Sequence, residues 1–271
     1  MPDPLHMFSK LIQCGDVLEL YIYSRGISVG QSRDYDIVRD KTDDEKENTE
    51  KRSDSMYRSR QNIRRLIWAN MGQYPKFLTL TYRDLVLDPD QVKKDVNRFC
   101  KRMKRNGFAL RYLYILEHQK ERGKKEGNEG CIHVHMVIFN DEKIPFEIVN
   151  QCWPHGQTDI HKIDDVKNLG AYVCKYITKD NIMEYGKRVY CCSLGLKRGI
   201  EERFFEEGLS DTYDGTLHPQ QVLDNMKVSY HKKMRHDFVD QDGVLKDMSV
   251  DYYQGTWADV ELILGKERKK L

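Results

Sequence analysis

The chain has 271 residues, 39% of them hydrophobic and 32% charged, with a formal net charge of only +2. That balance predicts a soluble protein with a limited core, of a length for one large domain or one domain with appendages. No run approaches the ~18 apolar residues of a membrane span, and the seven cysteines show no C-x-x-C pair, which argues against a zinc ribbon and for reduced thiols in a cytoplasm.

Met1-Pro2-Asp3-Pro4 has no basic region leading into an apolar stretch, so no signal peptide is expected. Val17 to Tyr23 reads as a strand closed by Gly26. Residues 34–50 are polar and rich in Asp and Glu, and read as a loop or helix start without chemistry. From Ser53 the charge reverses: between Lys51 and Asn70 there are six basic residues and one acid, Asp54. Ile63, Leu66, Ile67 and Met71 repeat at helical spacing, which predicts a helix from about Ser55 to Met71. Its arginine face (Arg58, Arg60, Arg64, Arg65) suits nucleic-acid phosphates, or is simply a solvated basic face.

Lys76 to Tyr82 is the next strand, with Thr alternating against apolar residues. Asp88-Pro89 opens a helix whose apolar stripe is Val92, Val96, Phe99 and Met103. The other side carries cations that include Lys93, Lys94, Lys101 and Arg105, and the helix stops at Asn106-Gly107. A strand at Tyr112–Glu117, a charged turn at Lys120–Gly130 and a strand at Cys131–Phe139 read as a hairpin. A short helix at Pro145–Gln151, a short strand at Gln157–His161, a helix at Asp164–Thr178 and a strand at Arg188–Ser193 complete this region. Hairpins mixed with helices predict an α+β fold, a central antiparallel sheet with packed helices. The expected divisions are residues 1–52, an N-terminal strand and charged linker; 53–200, the main domain; and 201–271, a segment without an assigned role. Within that last segment, Pro219 to Met226 reads as a short helix. The G-x-x-x-x-G-K-[ST] motif of a nucleotide-hydrolysing module is absent from the sequence.

Three stretches carry chemistry. On the strand Cys131–Phe139, His133 and His135 project to one face because strand side chains alternate. They read as two ligands of one metal ion or as two satisfied histidines on a sheet face. Glu117 ends the hairpin partner, so an antiparallel pairing sets a carboxylate beside the imidazoles. His, His and carboxylate leave open positions on a divalent ion, and Mg2+ or Mn2+ fits if the ion also meets a phosphate oxygen. Glu117 also reads as a surface residue, His118 as a bystander, and His155 and Trp153 as either site or packing residues. The third stretch is Gly170–Lys179. Helical spacing gathers Tyr172, Lys175, Tyr176 and Lys179 on one face, or leaves two exposed tyrosines on an ordinary amphipathic helix. A tyrosine hydroxyl, with its pKa of about 10, is a poor nucleophile. A divalent ion on the phosphate and a neighbouring lysine make attack feasible.

Taken together and in this order, these stretches resemble the HUH endonucleases of rolling-circle replication. Phe77-Leu78-Thr79-Leu80-Thr81-Tyr82 is similar to that family's first motif, His133-Val134-His135 to its metal-binding motif, and Tyr172-Val173-Cys174-Lys175-Tyr176 to the tyrosine motif of two-tyrosine initiators of single-stranded DNA phages and plasmids. Glu117 matches the third ligand's position. The resemblance covers about Ile63 to Ser193 and implies a ferredoxin-like variant of the α+β fold. It implies attack by Tyr172 or Tyr176 on single-stranded origin DNA, a 5′-phosphotyrosine link and a free 3′-hydroxyl. Lys175 and Lys179 would assist, and the basic helices would hold DNA. A host helicase and polymerase in a bacterial cytoplasm are the implied partners. A relaxase or single-strand transposase with the same chemistry, or a non-catalytic nucleic-acid-binding module, are the competing readings.

Overall fold

The computed structural model describes residues 6–28, 44–118, 130–163, 172–174, 190–205, 219–239 and 245–257. Two compact units divide the chain: a central unit, residues 40–197, and a terminal unit built from residues 1–39 together with 198–271. The architecture is α+β, with one antiparallel sheet in each unit and helices packed on strands. Among the described residues no helix is long and apolar enough to cross a membrane. All seven cysteines are free.

The terminal unit begins with β1 (His6–Cys14) and β2 (Val17–Ser28). They are joined at Gly15-Asp16, where Gly15 takes the positive φ of 60° that a two-residue hairpin demands. In the central unit follow α1 (Asp44–Asn70), β3 (Lys76–Leu80), α2 (Pro89–Arg105), β4 (Tyr112–His118), β5 (Ile132–Ile138), α3 (Phe146–Cys152), β6 (Thr158–Lys162) and β7 (Tyr190–Cys192). The chain then returns to the terminal unit with β8 (Ile200–Phe205), α4 (Pro219–Asn225), β9 (Met226–Val239) and β10 (Leu245–Trp257). The terminal sheet runs β8-β1-β2-β10-β9 and the central sheet β6-β3-β5-β4-β7, five strands each.

Helix α1 starts at Asp44, well before the Ser55 expected from the apolar spacing. The acidic stretch read as a loop or helix start is helical from there on. Pro89 opens α2, and the Asp88 carboxylate accepts the Asp90 amide at 2.9 Å, a capping bond for an otherwise orphaned donor.

The central sheet has two different faces. Leu78, Leu80, Ile132, Val134, Met136 and Ile138 project to one of them, where they pack against Val92, Val96, Phe99 and Met103 of α2, Val149 of α3, and Trp153. Phe77, Leu113, Ile115 and Val137 project to the other, beneath Ile63, Leu66 and Ile67 of α1 and Val173. The amphipathic spacing of α1 and α2 thus resolves into helices on opposite sides of one sheet.

Candidate functional site

The site grows from the pairing of β3, β5 and β4. Thr79 lies opposite His135, and Glu117 opposite His133, in unbroken antiparallel register. Because every second residue shares a face, Phe77, Thr79, His133, His135 and Glu117 all project to the α1 side. Hydrophobic alternation enforces this: the intervening Leu78, Val134 and Met136 are fully buried on the other side.

His135 is held at both ring nitrogens. Its Nε2 lies 2.6 Å from Glu117 Oε2 and its Nδ1 3.4 Å from Thr79 Oγ1. The tautomer that serves both partners carries its proton on Nε2, donates to the carboxylate and accepts from the threonine hydroxyl. The His133 and His135 ring centroids are 6.5 Å apart. As they stand, no three His, Cys, Asp or Glu side chains among the described residues converge to hold a metal.

The donor set nonetheless has the chemistry for a divalent ion. Two atoms bound side by side on an octahedral ion at ~2.1 Å lie ~3 Å apart, close to the Glu117–His135 separation of 2.6 Å. An ion taken there would displace the shared proton. It would switch His135 to the other tautomer, with Nδ1–H donating to Thr79, the outer support that metal-bound imidazoles require.

Phe77 joins this cluster to the tyrosine segment. Its ring stacks on His135 at 5.8 Å and meets the Tyr172 ring edge-on at 5.2 Å. Tyr172 is 38% exposed and lies on the histidine side of the sheet. Val173 and Cys174 next to it are buried in the cluster that α1 covers. The Cys174 thiol donates to the Arg60 carbonyl at 3.5 Å, so this segment runs against α1. Burial pushes that thiol up to about 11 against the pull of the Arg64 and Arg60 charges. Arg64 also sits over the Trp68 ring at 4.9 Å. Arg58 is exposed and Arg65 half-buried on the same helix. Tyr176, Lys175 and Lys179 lie outside the described residues.

The other predicted DNA contacts are placed apart from this cluster. Lys93, Lys94, Lys101 and Arg105 ride on α2, behind the sheet, and Lys93 is paired with Asp90 at 2.9 Å. Trp153 is core rather than a base-stacking residue: it is buried, and its Nε1 donates to the Thr81 carbonyl at 2.8 Å. His155 faces Asp95 on the α2 side at 3.7 Å. His118 is buried, with its Nδ1 3.4 Å from the Gly130 carbonyl.

Sequence reasoning left three neighbours unassigned. Thr79 supports His135. His161 and Asp159 lie on β6, in register with Phe77 and Thr79 and therefore on the same face. The His161 ring is 5.6 Å from that of Phe77 and its Nδ1 3.9 Å from Asp159. The available signal was the two-residue spacing from Asp159 to His161, the same spacing that marked His133 and His135.

Residues 75–181 match the family of Replication-associated protein ORF2/G2P. This supports a replication-associated role. The matched span runs from β3 through the tyrosine segment and leaves the terminal unit outside. No curated protein and no solved structure matches the chain.

Proposed function

We propose that the central unit is a metal-dependent endonuclease and strand transferase that initiates rolling-circle replication on single-stranded origin DNA. The observation that carries this reading is the chain of rings Tyr172–Phe77–His135, which sets a half-exposed phenol and the His135–Glu117 pair on one side of one sheet. The family match supports the replication role.

In this reading His133, His135 and Glu117 hold Mg2+ or Mn2+, with Thr79 orienting His135. The bound ion would polarise the scissile phosphate. Tyr172 or Tyr176 attacks the phosphorus: a tyrosyl O–P bond forms, the P–O3′ bond breaks, and the phenolic proton ends on the 3′-hydroxyl. One ester replaces another, so the step needs no nucleotide hydrolysis. Lys175 and Lys179 stabilise charge on the transferring phosphate. Arg58, Arg60, Arg64 and Arg65 of α1 track the strand, because α1 shares the face of the tyrosine segment. The free 3′-end would then be taken up by a host helicase and polymerase in a bacterial cytoplasm.

Incubation with single-stranded origin-type DNA and Mn2+, followed by a denaturing gel and mass mapping, tests the reading. A covalent adduct on Tyr172 or Tyr176 is expected, absent from the double Phe variant. An adduct that persists in that variant, or is unaffected by chelator, overturns it. The non-catalytic nucleic-acid-binding reading has one observation in its favour: Glu117 and His135 satisfy each other without an ion. Salt-dependent binding with no adduct on any DNA would select it.

A further inference from the structure

The terminal unit presents a second surface that the nuclease reading does not use. Strand β9 is the last in its sheet and pairs with β10 alone among the described residues. Its stretch from Lys227 to Arg235 contains Lys227, Lys232, Lys233 and Arg235 and no acid. Every residue of that stretch except Met234 is exposed.

A bulge decides which of these side chains act together. The register between β9 and β10 slips at Gln254/Gly255, where Lys227 pairs with Thr256, Tyr230 with Gln254 and Lys232 with Tyr252. Thr256, Gln254 and Tyr252 are alternate residues of β10 and share a face, so Lys227, Tyr230 and Lys232 share it too. Without the extra residue Ser229, Lys227 and Tyr230 would point to opposite sides. Gly255 makes the bulge possible, since a Cβ there would lie 2.3 Å from the Lys227 carbonyl oxygen.

On the opposite face Met226 packs against Leu11, Leu20 and Phe204, so the Lys227–Tyr230–Lys232 side points away from that core. Beyond it, on that opposite face, His231 and Lys233 are occupied by Asp251, at 2.9 and 3.8 Å. Among the described residues neither Lys227 nor Lys232 has an ion-pair partner. Between them Tyr230 is 50% exposed, its ring 6.1 Å from that of Tyr252. Tyr252 is anchored in turn by a 2.8 Å hydrogen bond to Glu19. Lysines on an edge strand guard it against pairing with other chains. That role explains the cations but not a half-exposed, backed aromatic ring set between two of them. A ring flanked by cations is the arrangement that holds single-stranded nucleic acid, by stacking a base and neutralising its phosphates.

We propose that β9 is a second single-stranded DNA contact, with backbone phosphates on Lys227 and Lys232 and a base stacked on Tyr230. This needs the chain to bind DNA, but not to nick it. Fluorescence anisotropy of the full-length protein with a labelled mixed-sequence single strand, and with its duplex, tests it across a salt series. Lys227→Gln with Lys232→Gln should weaken single-strand binding roughly tenfold and flatten the slope of log affinity against log salt by about 1.4. Tyr230→Leu should weaken it by roughly fivefold or more with the slope unchanged, and Tyr230→Phe should bind as the wild type. Wild-type affinity and slope in the lysine and leucine variants would overturn the proposal. So would a loss confined to the duplex, a Phe variant as weak as Leu, or self-association of the lysine variant with DNA affinity intact, which would leave edge protection as the only role. A wild-type chain that binds no single strand would overturn this proposal and the nuclease reading together. Tight binding that ignores β9 would overturn this one alone.

Discussion

The two faces of the central sheet are made by the same strands and do opposite work. Behind, Leu78, Leu80, Val134, Met136 and Ile138 meet α2 and α3 in a packed apolar layer. In front, the residues between them supply an imidazole locked by Glu117 and Thr79, and a phenylalanine that touches His135, His161 and Tyr172. Strand periodicity lets one apolar layer hold the front side chains in place, so the site rests on strands rather than loops. The back face should therefore answer to stability and the front face to chemistry, and four substitutions test that division.

The largest effect is expected in front. His135→Ala should abolish adduct formation, while the midpoint of thermal unfolding moves by only a few degrees, about 2–4 °C per kcal/mol lost. A variant that cleaves at the wild-type rate in the gel assay would remove His135 from the chemistry. Behind the sheet, Phe99→Ala empties a fully buried position on α2 and should cost about 3–5 kcal/mol in a denaturant titration. Cleavage per folded molecule should be unchanged; a rate lost without stability would break the comparison.

Thr79→Val sharpens the front face. It keeps the volume and removes the hydroxyl at His135 Nδ1, which should weaken the apparent Mn2+ affinity in cleavage roughly 10- to 100-fold, since outer-shell partners act on metal affinity at that scale. A metal titration of cleavage with no shift would reduce Thr79 to packing.

The smallest effect is a pH dependence behind the sheet. Burial by itself would raise the Asp95 carboxyl. Hydrogen bonds from Gln91, Arg98 and Tyr82, together with the His155 charge, instead hold it below the ordinary carboxylate range. Tyr82, buried and donating to that carboxylate at 3.2 Å, is pushed up in turn. A lowered carboxyl stabilises the fold above its unfolded value, and that stability is lost as pH falls through the folded one. Thermal melts of the wild type should therefore show an acid limb that Asp95→Asn flattens. An identical limb in both would assign it to other carboxylates.

The terminal unit shows where sequence reading stopped. Its β1 was missed although Gly15-Asp16 is a hairpin signal, because Ser9, Lys10 and Gln13 interrupt the apolar run. Strand β9 was missed because both of its faces carry cations or His, Lys227 and Lys232 on one and His231 and Lys233 on the other, so polar and apolar residues do not alternate along it. Its bulge was invisible as well, since the one-residue slip is set by pairing with β10.

The central unit was more legible. Period-two alternation placed His133 and His135 on one face, and the hairpin spacing brought Glu117 opposite. Helical spacing marked the apolar stripes of α1 and α2. These follow from the sequence because backbone geometry alone fixes which neighbours share a face. Tertiary packing decided the rest. Both basic helices carry the same kind of charge, yet only α1 lies with the tyrosine segment, because the α2 stripe matches the opposite apolar layer. Trp153 is core, and the Thr81 carbonyl there accepts the hydrogen bond of its indole N–H. The first and last described strands, β1 and β10, share a sheet. Local pattern could specify none of these, since each depends on what a distant stretch presents as a surface.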